Sequence, residues 1–198
     1  MKFRFIILLL SAINLQSSLC AKISVEADAS AFFPISSIPQ QIYGHTWTDV
    51  AITFDHINFI PWAPCVNLFA MVNYIFASGL SQNGNEPTHI DLVPITLGIK
   101  WIAKVHEHIE CYLGAAPRYY FMHIKNNSPY VPQTSNENGC GGFFTSGAFF
   151  YPQNHFMINV FFNFSYINLG APASVLGVQS YSTNVSGFDL GGGIGWNF

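Results

Sequence analysis

The sequence predicts an all-β fold, an eight-stranded antiparallel up-and-down transmembrane β-barrel with short periplasmic turns and longer extracellular loops. Three observations predict this fold class. Apolar and polar residues alternate with a period of two in one segment after another. Short and long connections between these segments alternate strictly. Only 9% of the residues are charged, against about 25% in a typical soluble domain.

A secretory signal peptide is predicted at the N-terminus. Two basic residues precede an apolar run over residues 5–10, and small residues follow, as a signal peptidase prefers. We therefore expect residues 1–21 to be cleaved and residues 22–198 to form the barrel. A lipoprotein anchor on Cys20 is the alternative, which Leu19 disfavours because the residue before a lipidated cysteine is normally small.

The first four strands are predicted in residues 22–33, 47–59, 65–77 and 90–104. In the first, alanine and aliphatic residues alternate with serine and acidic residues. The second is less regular, but Val50, Ile52 and Phe54 share one face. The third sets aliphatic and aromatic residues against two asparagines. The fourth has an apolar face that ends in tryptophan, and Pro94 weakens its early pairing.

The last four strands are predicted in residues 109–125, 141–151, 155–168 and 190–198. The fifth alternates aliphatic and aromatic residues with charged residues, tyrosine and glycine. The sixth carries phenylalanine on both faces, so its orientation is left open. The seventh is the clearest, because its aromatic face opposes Asn159 and Asn163. In the eighth, Ile194 and Trp196 lie on one face and glycines on the other.

The connections between these strands fall into two classes. The short ones have the length of tight turns and lie at residues 60–64, 105–108 and 152–154. The long ones are rich in Ser, Asn, Gln, Pro and Gly and lie at residues 34–45, 78–89, 126–139 and 169–184. Strict alternation of the two classes is typical of an up-and-down membrane barrel whose two ends lie in different environments.

The apolar faces are expected to point outward into lipid. If they pointed inward, the remaining coat of Gly, Ser, Thr and Asn would carry too little charge to cover a soluble barrel. If they met water, they would form a far larger apolar patch than soluble monomers show. In a membrane, closure of the sheet also satisfies the backbone N–H and C=O groups. The remaining alternative is a secreted, lipocalin-like soluble binder with an apolar cavity.

Aromatic residues cluster at both ends of the predicted strands. Trp101 and Trp196 fall at the short-turn ends, and Trp47, Tyr74 and Tyr166 fall at or near the long-loop ends. Membrane barrels carry aromatic girdles at both interfaces with water. We therefore expect these five side chains to form the two girdles.

Two stretches resemble known families. The C-terminal GGGIGWNF at residues 191–198 resembles the C-terminal signature of bacterial outer-membrane barrels, and residues 97–121 resemble a hairpin of the small OmpW-like and OmpA-like barrel families. The resemblance implies that Gly193, Trp196 and Phe198 form a signal for the barrel-assembly machinery. It also implies a location in the bacterial outer membrane, with the membrane lipid as a partner.

The inward faces combine acidic and basic side chains that can pair across strands. This expected lumen network consists of Glu26, Asp28, Asp55, Lys100, Glu110, Arg118 and Asp189. Eight strands leave an interior wide enough for side chains or one small ligand. Our first hypothesis is a barrel with a polar, largely side-chain-filled lumen and a structural or surface-exposed role. The alternative is a narrow channel for small solutes, apolar ones included.

Enzyme chemistry finds little support in the sequence. It contains no Gly-x-Ser-x-Gly elbow, and Ser146, His155 and Asp189 form a triad only if strand positions are ignored. His106 and His108 in a tight turn supply at most a partial set of metal ligands. We therefore predict no catalytic residue, no metal and no cofactor.

The charge balance and the cysteines narrow the partners further. Ten acidic residues outnumber seven basic ones, so no nucleic-acid partner is expected. Cys65 and Cys111 are separated by one strand, about 10 Å, and Cys140 belongs at the opposite end, so no intramolecular disulfide is predicted. The external loops are expected to contact a surface partner, which the sequence does not identify.

Overall fold

The structure is a computed structural model. It describes residues 23–56, 63, 65–81, 86–127, 132–153, 155–170 and 182–198. The predicted signal peptide, the end of the second predicted strand at residues 57–59, most of the predicted turn at residues 60–64 and the centre of the last long loop lie outside the described residues. The elements are β1 Ile23–Pro34, α1 Ser37–Tyr43, β2 Trp47–His56, β3 Val66–Leu80, β4 Pro87–His106, β5 Ile109–Asn126, β6 Thr134–Phe150, β7 Phe156–Gly170, β8 Ser182–Asn184 and β9 Gly187–Asn197.

Eight long antiparallel strands form a closed barrel, which confirms the predicted fold class. Each strand pairs with the next along the chain from β1 to β7, β7 pairs with β9, and β9 pairs back with β1. The closing pairs run from Ser24 opposite Asn197 to Pro34 opposite Gly187. The short strand β8 pairs with the loop end of β7 and forms a small separate ribbon there.

Period-two alternation sets which side chains face inward. On β2, Val50, Ile52 and Phe54 are exposed on the outside, while Thr53 and Asp55 are buried inside. The same rule settles β6, which the sequence left open, because Phe143 is buried in the lumen and Phe144 is exposed. The charged and most polar residues of the strands therefore lie in the interior together with some apolar side chains, whereas aliphatic and aromatic residues cover the outside of the wall.

The loop end differs from the sequence prediction in a helix and in strand length, because β3 continues to Leu80, β4 begins at Pro87 and β6 begins at Thr134. The first long connection contains α1, a helix of seven residues that ends at Gly44, whose φ of 82° suits glycine. Such a short helix has almost no periodic signal, and it is held by packing on β1, β3 and β4. Residues 134–139, predicted as loop, belong to β6 because they pair with β5 from Lys125 to Tyr120.

The interior is packed at three levels along the barrel axis. At the loop end lies an apolar cluster that we call the outer plug; it consists of Phe32, Trp47, Ile75, Ala77, Ile90, Leu92, Tyr120, Met122, Ile167 and Val185. A middle cluster joins Phe69 to Phe143, and a third joins Tyr112 to Phe149 nearer the turns. Within the described residues, no helix is long and apolar enough to cross a membrane.

Candidate functional site

A buried ion-pair network lies in the turn-end half of the lumen. Lys100 on β4 donates to Asp55 Oδ2 at 2.9 Å and lies 3.8 Å from Glu26 Oε1. Asn159 on β7 donates to the other oxygen of Glu26 at 2.9 Å, and Tyr112 donates to Asn159 at 3.1 Å. We call these five residues the Lys100 cluster. Its hydrogen bonds join strands that are not neighbours in the sheet.

Aromatic rings surround the ammonium group of Lys100. Its Nζ lies 5.0 Å from the ring centre of Phe69 and 5.1 Å from that of Tyr112. Phe149 adds a third ring at 5.4 Å. A buried cation is stabilised by carboxylates and by ring faces, which here replace contact with bulk solvent. The side chain is 2% exposed.

A second network surrounds Arg118 nearer the loop end. Its guanidinium donates to Thr96 Oγ1 at 2.6 Å, to Ser165 Oγ at 2.9 Å and to Asn73 Oδ1 at 3.1 Å. Asn73 in turn donates to both oxygens of Asp49, at 3.1 and 2.9 Å. We call these five residues the Arg118 cluster. Because Arg118 reaches β3 and β7 from β5, the cluster bridges the lumen.

The described lumen carries more acids than bases. Asp28 accepts from Thr53 at 2.9 Å, and Asp189 is fully buried. With the two clusters, this makes five acids: Glu26, Asp28, Asp49, Asp55 and Asp189. Only Lys100 and Arg118 oppose them among the buried residues of the described chain.

Glu110 lies apart from the two clusters, at the turn end of the barrel. Its carboxylate accepts a hydrogen bond from Tyr151 at 3.0 Å. Burial raises the pKa of the Tyr151 hydroxyl, and the neighbouring Glu110 carboxylate raises that pKa further. The other six residues of the expected lumen network are buried in the interior.

Trp47 corrects the predicted aromatic girdle. Tyr74, Trp101, Tyr166 and Trp196 are exposed on the outside of the wall. Trp47 is 2% exposed, lies in the outer plug and donates its indole N–H to the Gly44 carbonyl at 3.1 Å. Trp47 lies at the loop end of β2, as predicted, but its side chain points into the barrel and not outward.

The two-residue period of β2, applied along the whole strand, would have predicted that Trp47 and Asp49 face inward. The sequence places Thr53 and Asp55 on the inward face of β2. Continuing the alternation backwards puts Asp49 and Trp47 on that same face. Asp49 was missing from the expected network although it accepts hydrogen bonds from Asn73 and Ser30.

The glycines of β9 make room for lumen side chains. A Cβ at Gly193 would overlap a carboxylate oxygen of Asp28, and one at Gly195 would come within 2.6 Å of Met157. Gly193, Trp196 and Phe198 all lie at the closing seam of the barrel, where Trp196 faces outward. Their role as an assembly signal stays a prediction.

The other candidate groups are scattered. Asp189 lies inside the barrel and His155 outside, at the turn end. Cys65, Cys111 and Cys140 are free thiols. No cluster of three or more potential metal ligands occurs among the residues that the structure describes.

An apolar belt surrounds the outside of the barrel. It includes Ile52, Phe54, Val72, Ile95, Leu97, Ile99, Leu113, Phe144, Val160, Phe162, Leu190 and Ile194, all about half exposed. Trp101 and Trp196 lie at its turn end, and Tyr74 and Tyr166 at its loop end. A soluble barrel would bury such residues, whereas a membrane barrel presents them to lipid.

Solved structures with a similar fold are outer-membrane barrels. Neisserial surface protein A matches with a TM-score of 0.60 and 16% identity, over 89% of this chain and 97% of that chain. A major outer membrane protein from Thermus thermophilus matches with a TM-score of 0.56 and 14% identity, over 91% and 100%. The attachment invasion locus protein Ail of Yersinia pestis matches with a TM-score of 0.51 and 9% identity, over 91% and 100%.

No protein-family model and no curated protein sequence matches the chain. The likeness to solved structures therefore shows the fold. Together with the apolar belt, the closed barrel and its polar interior define the protein as an outer-membrane β-barrel. Its location is the bacterial outer membrane.

Proposed function

We propose that the protein is a non-conducting outer-membrane barrel with a structural or surface-exposed role. The observation that carries this proposal is the closure of the lumen by side chains at several levels. The Lys100 cluster, the Arg118 cluster and the outer plug follow one another along the axis. A path for solute would have to break all three.

The burial of the two cations supports a closed lumen. Lys100 is 2% exposed and Arg118 is 1% exposed, so solvent at either end of the barrel has almost no access to the two side chains. Their hydrogen bonds also join strands that are not neighbours in the barrel. Opening a channel would leave buried charges without partners, which is costly.

Surface display is supported by the loop end. The β5–β6 hairpin extends beyond the barrel wall, because β6 pairs with β7 only from Gly141 onward. Two proteins of similar fold are described as a surface protein and an attachment protein. A rigid barrel that holds an extended hairpin outside the membrane suits a similar role.

Conductance in planar lipid bilayers tests the closed lumen. The full-length mature protein, folded in detergent and checked by heat-modifiable migration on a gel, is expected to insert without unit conductance steps. An open porin measured in the same bilayer provides the positive control. Reproducible steps from the wild-type protein, absent from a sample unfolded before addition, would instead support the narrow channel.

A further inference from the structure

A serine, a histidine and an aspartate form a hydrogen-bonded chain on the outside of the barrel. Ser78 on β3 and His89 on β4 are directly opposite each other in the sheet. Ser78 Oγ lies 2.8 Å from His89 Nδ1, and His89 Nε2 lies 3.0 Å from Asp91 Oδ1. None of the three belongs to the lumen networks.

The aspartate determines which ring nitrogen of His89 acts as the base. A carboxylate only accepts hydrogen bonds, so His89 Nε2 carries the proton and donates a hydrogen bond to Asp91. Nδ1 is then free to accept from the Ser78 hydroxyl. These are the roles of nucleophile, base and orienting acid, with the two ring nitrogens exchanged relative to the trypsin-type triad. Tyr74 donates to the same Asp91 oxygen at 2.6 Å and helps to hold it.

The position of this triad matches the ester groups of membrane lipids. Tyr74 and Phe76, whose ring centres are 5.3 Å apart in a stacked pair, lie on β3 four and two residues before Ser78 and on the same face. Tyr74 belongs to the loop-end girdle, and girdles mark the level at which hydrocarbon meets headgroups. The ester bonds of a glycerolipid lie at this boundary. A lipid in the adjoining leaflet therefore presents an ester carbonyl to the level of Ser78.

We propose that Ser78 is the nucleophile of an acyl-ester hydrolase site that acts on ester-linked lipids in the leaflet at the loop end. Ser78 Oγ bonds to the ester carbonyl carbon while its proton moves to His89 Nδ1. The ester C–O bond then breaks, and the leaving alcohol takes that proton. Water attacks the acyl-serine and gives a proton to Nδ1, the fatty acid leaves, and the proton returns to Ser78 Oγ.

Lys125 is placed to offset negative charge on the reacting carbonyl oxygen. It is the register partner of His89 on β5 and is exposed on the same outward face. The backbone of β4 at this level pairs with β3 and β5, so it offers no oxyanion hole. A missing oxyanion donor costs about 10²–10³ in rate, so turnover is expected to be slow. Covalent capture of the nucleophile is therefore the most sensitive assay.

A fluorescent fluorophosphonate tests the site in the full-length protein folded in detergent micelles. The probe bonds to an activated serine oxygen and releases fluoride. We expect time-dependent labelling, with the modified peptide identified as the one that contains Ser78. Ser78→Ala abolishes labelling, and His89→Gln slows it by about 10²-fold. Ser146→Ala is the matched control, because Ser146 is a wall serine that donates to a backbone carbonyl, and it leaves labelling unchanged.

Asp91 acts through His89 and is a positioning residue, so its test needs a conservative rescue. Asp91→Asn is expected to lose labelling, and Asp91→Glu to restore part of it, whereas both variants keep the heat-modifiable migration of a folded barrel. Phosphatidylcholine vesicles then report fatty-acid release, which Lys125→Ala reduces and Lys125→Arg retains. Equal labelling of wild type and Ser78→Ala, or modification of another serine alone, overturns the proposal.

Discussion

At the scale of single residues, Lys100 shows how a charge is kept inside this barrel. It offsets Asp55 and Glu26 and is surrounded by three aromatic rings. Burying an ion pair gives little net stability, because desolvation opposes the attraction. Removing one partner is different, since the remaining charges stay buried without compensation. The effect of Lys100 on the free energy of unfolding is therefore expected to be large when Lys100 alone is replaced.

Lys100→Met is expected to lower the free energy of unfolding by about 3–5 kcal/mol. The reason is the buried negative charge left on Asp55 and Glu26. Urea unfolding in lipid vesicles, followed by gel migration, measures this loss.

Lys104→Met on the same strand is the matched control, because Lys104 is exposed. Its effect should stay within about 0.5 kcal/mol, as for ordinary surface changes. Equal losses for the two variants would show that the Lys100 cluster contributes nothing specific.

At the scale of single elements, β9 shows why a strand can be rich in glycine. Its outward face carries Leu190, Ile194 and Trp196, which meet lipid. Its inward face has glycines that lie against the buried side chains of β1 and β7. The strand thus closes the barrel without crowding the acidic residues of the lumen.

Gly193→Ala is expected to destabilise the barrel by about 1–3 kcal/mol, the usual cost of overpacking. The added methyl group would overlap the Asp28 carboxylate and crowd the Ala27 carbonyl. Gly142→Ala on β6 is the control, because a Cβ there meets nothing within 4 Å. Unfolding midpoints in urea compare the two variants. A larger loss for Gly142→Ala than for Gly193→Ala would contradict this steric account.

At the scale of the whole molecule, the protein is inside-out relative to a soluble barrel. Charged residues such as Asp28 and Arg118 are buried around the axis, and the aromatic residues of the belt are exposed. Within the described chain, Trp47 is the tryptophan that lies on the inner side. Tryptophan fluorescence can therefore report both sides of the wall.

Single-tryptophan variants are expected to differ in quenching by brominated lipid. A variant that keeps only Trp101 should be strongly quenched, because its side chain is 51% exposed on the belt. A variant that keeps only Trp47 should be quenched far less, because its indole lies in the outer plug. Steady-state fluorescence in vesicles of brominated phosphatidylcholine makes the measurement. Equal quenching would refute the placement of Trp47.

The sequence by itself determined the strand number, the up-and-down order and the outward direction of the apolar faces. It could do so because a two-residue period separates the two faces of most strands within their own sequence, as Val50 and Thr53 illustrate. The exception is β6, which carries phenylalanine on both faces. It also identified most of the charged lumen residues, because the opposite face of each strand meets lipid, where a charged side chain is costly.

Only the tertiary structure decided how those residues combine. Lys100 meets Asp55 across one intervening strand and Glu26 across two. Arg118 reaches Asn73 on one side and Ser165 on the other. These contacts depend on register and barrel closure, which no local pattern encodes. For the same reason Ser78 and His89, eleven residues apart, became a candidate pair only once β3 and β4 were aligned.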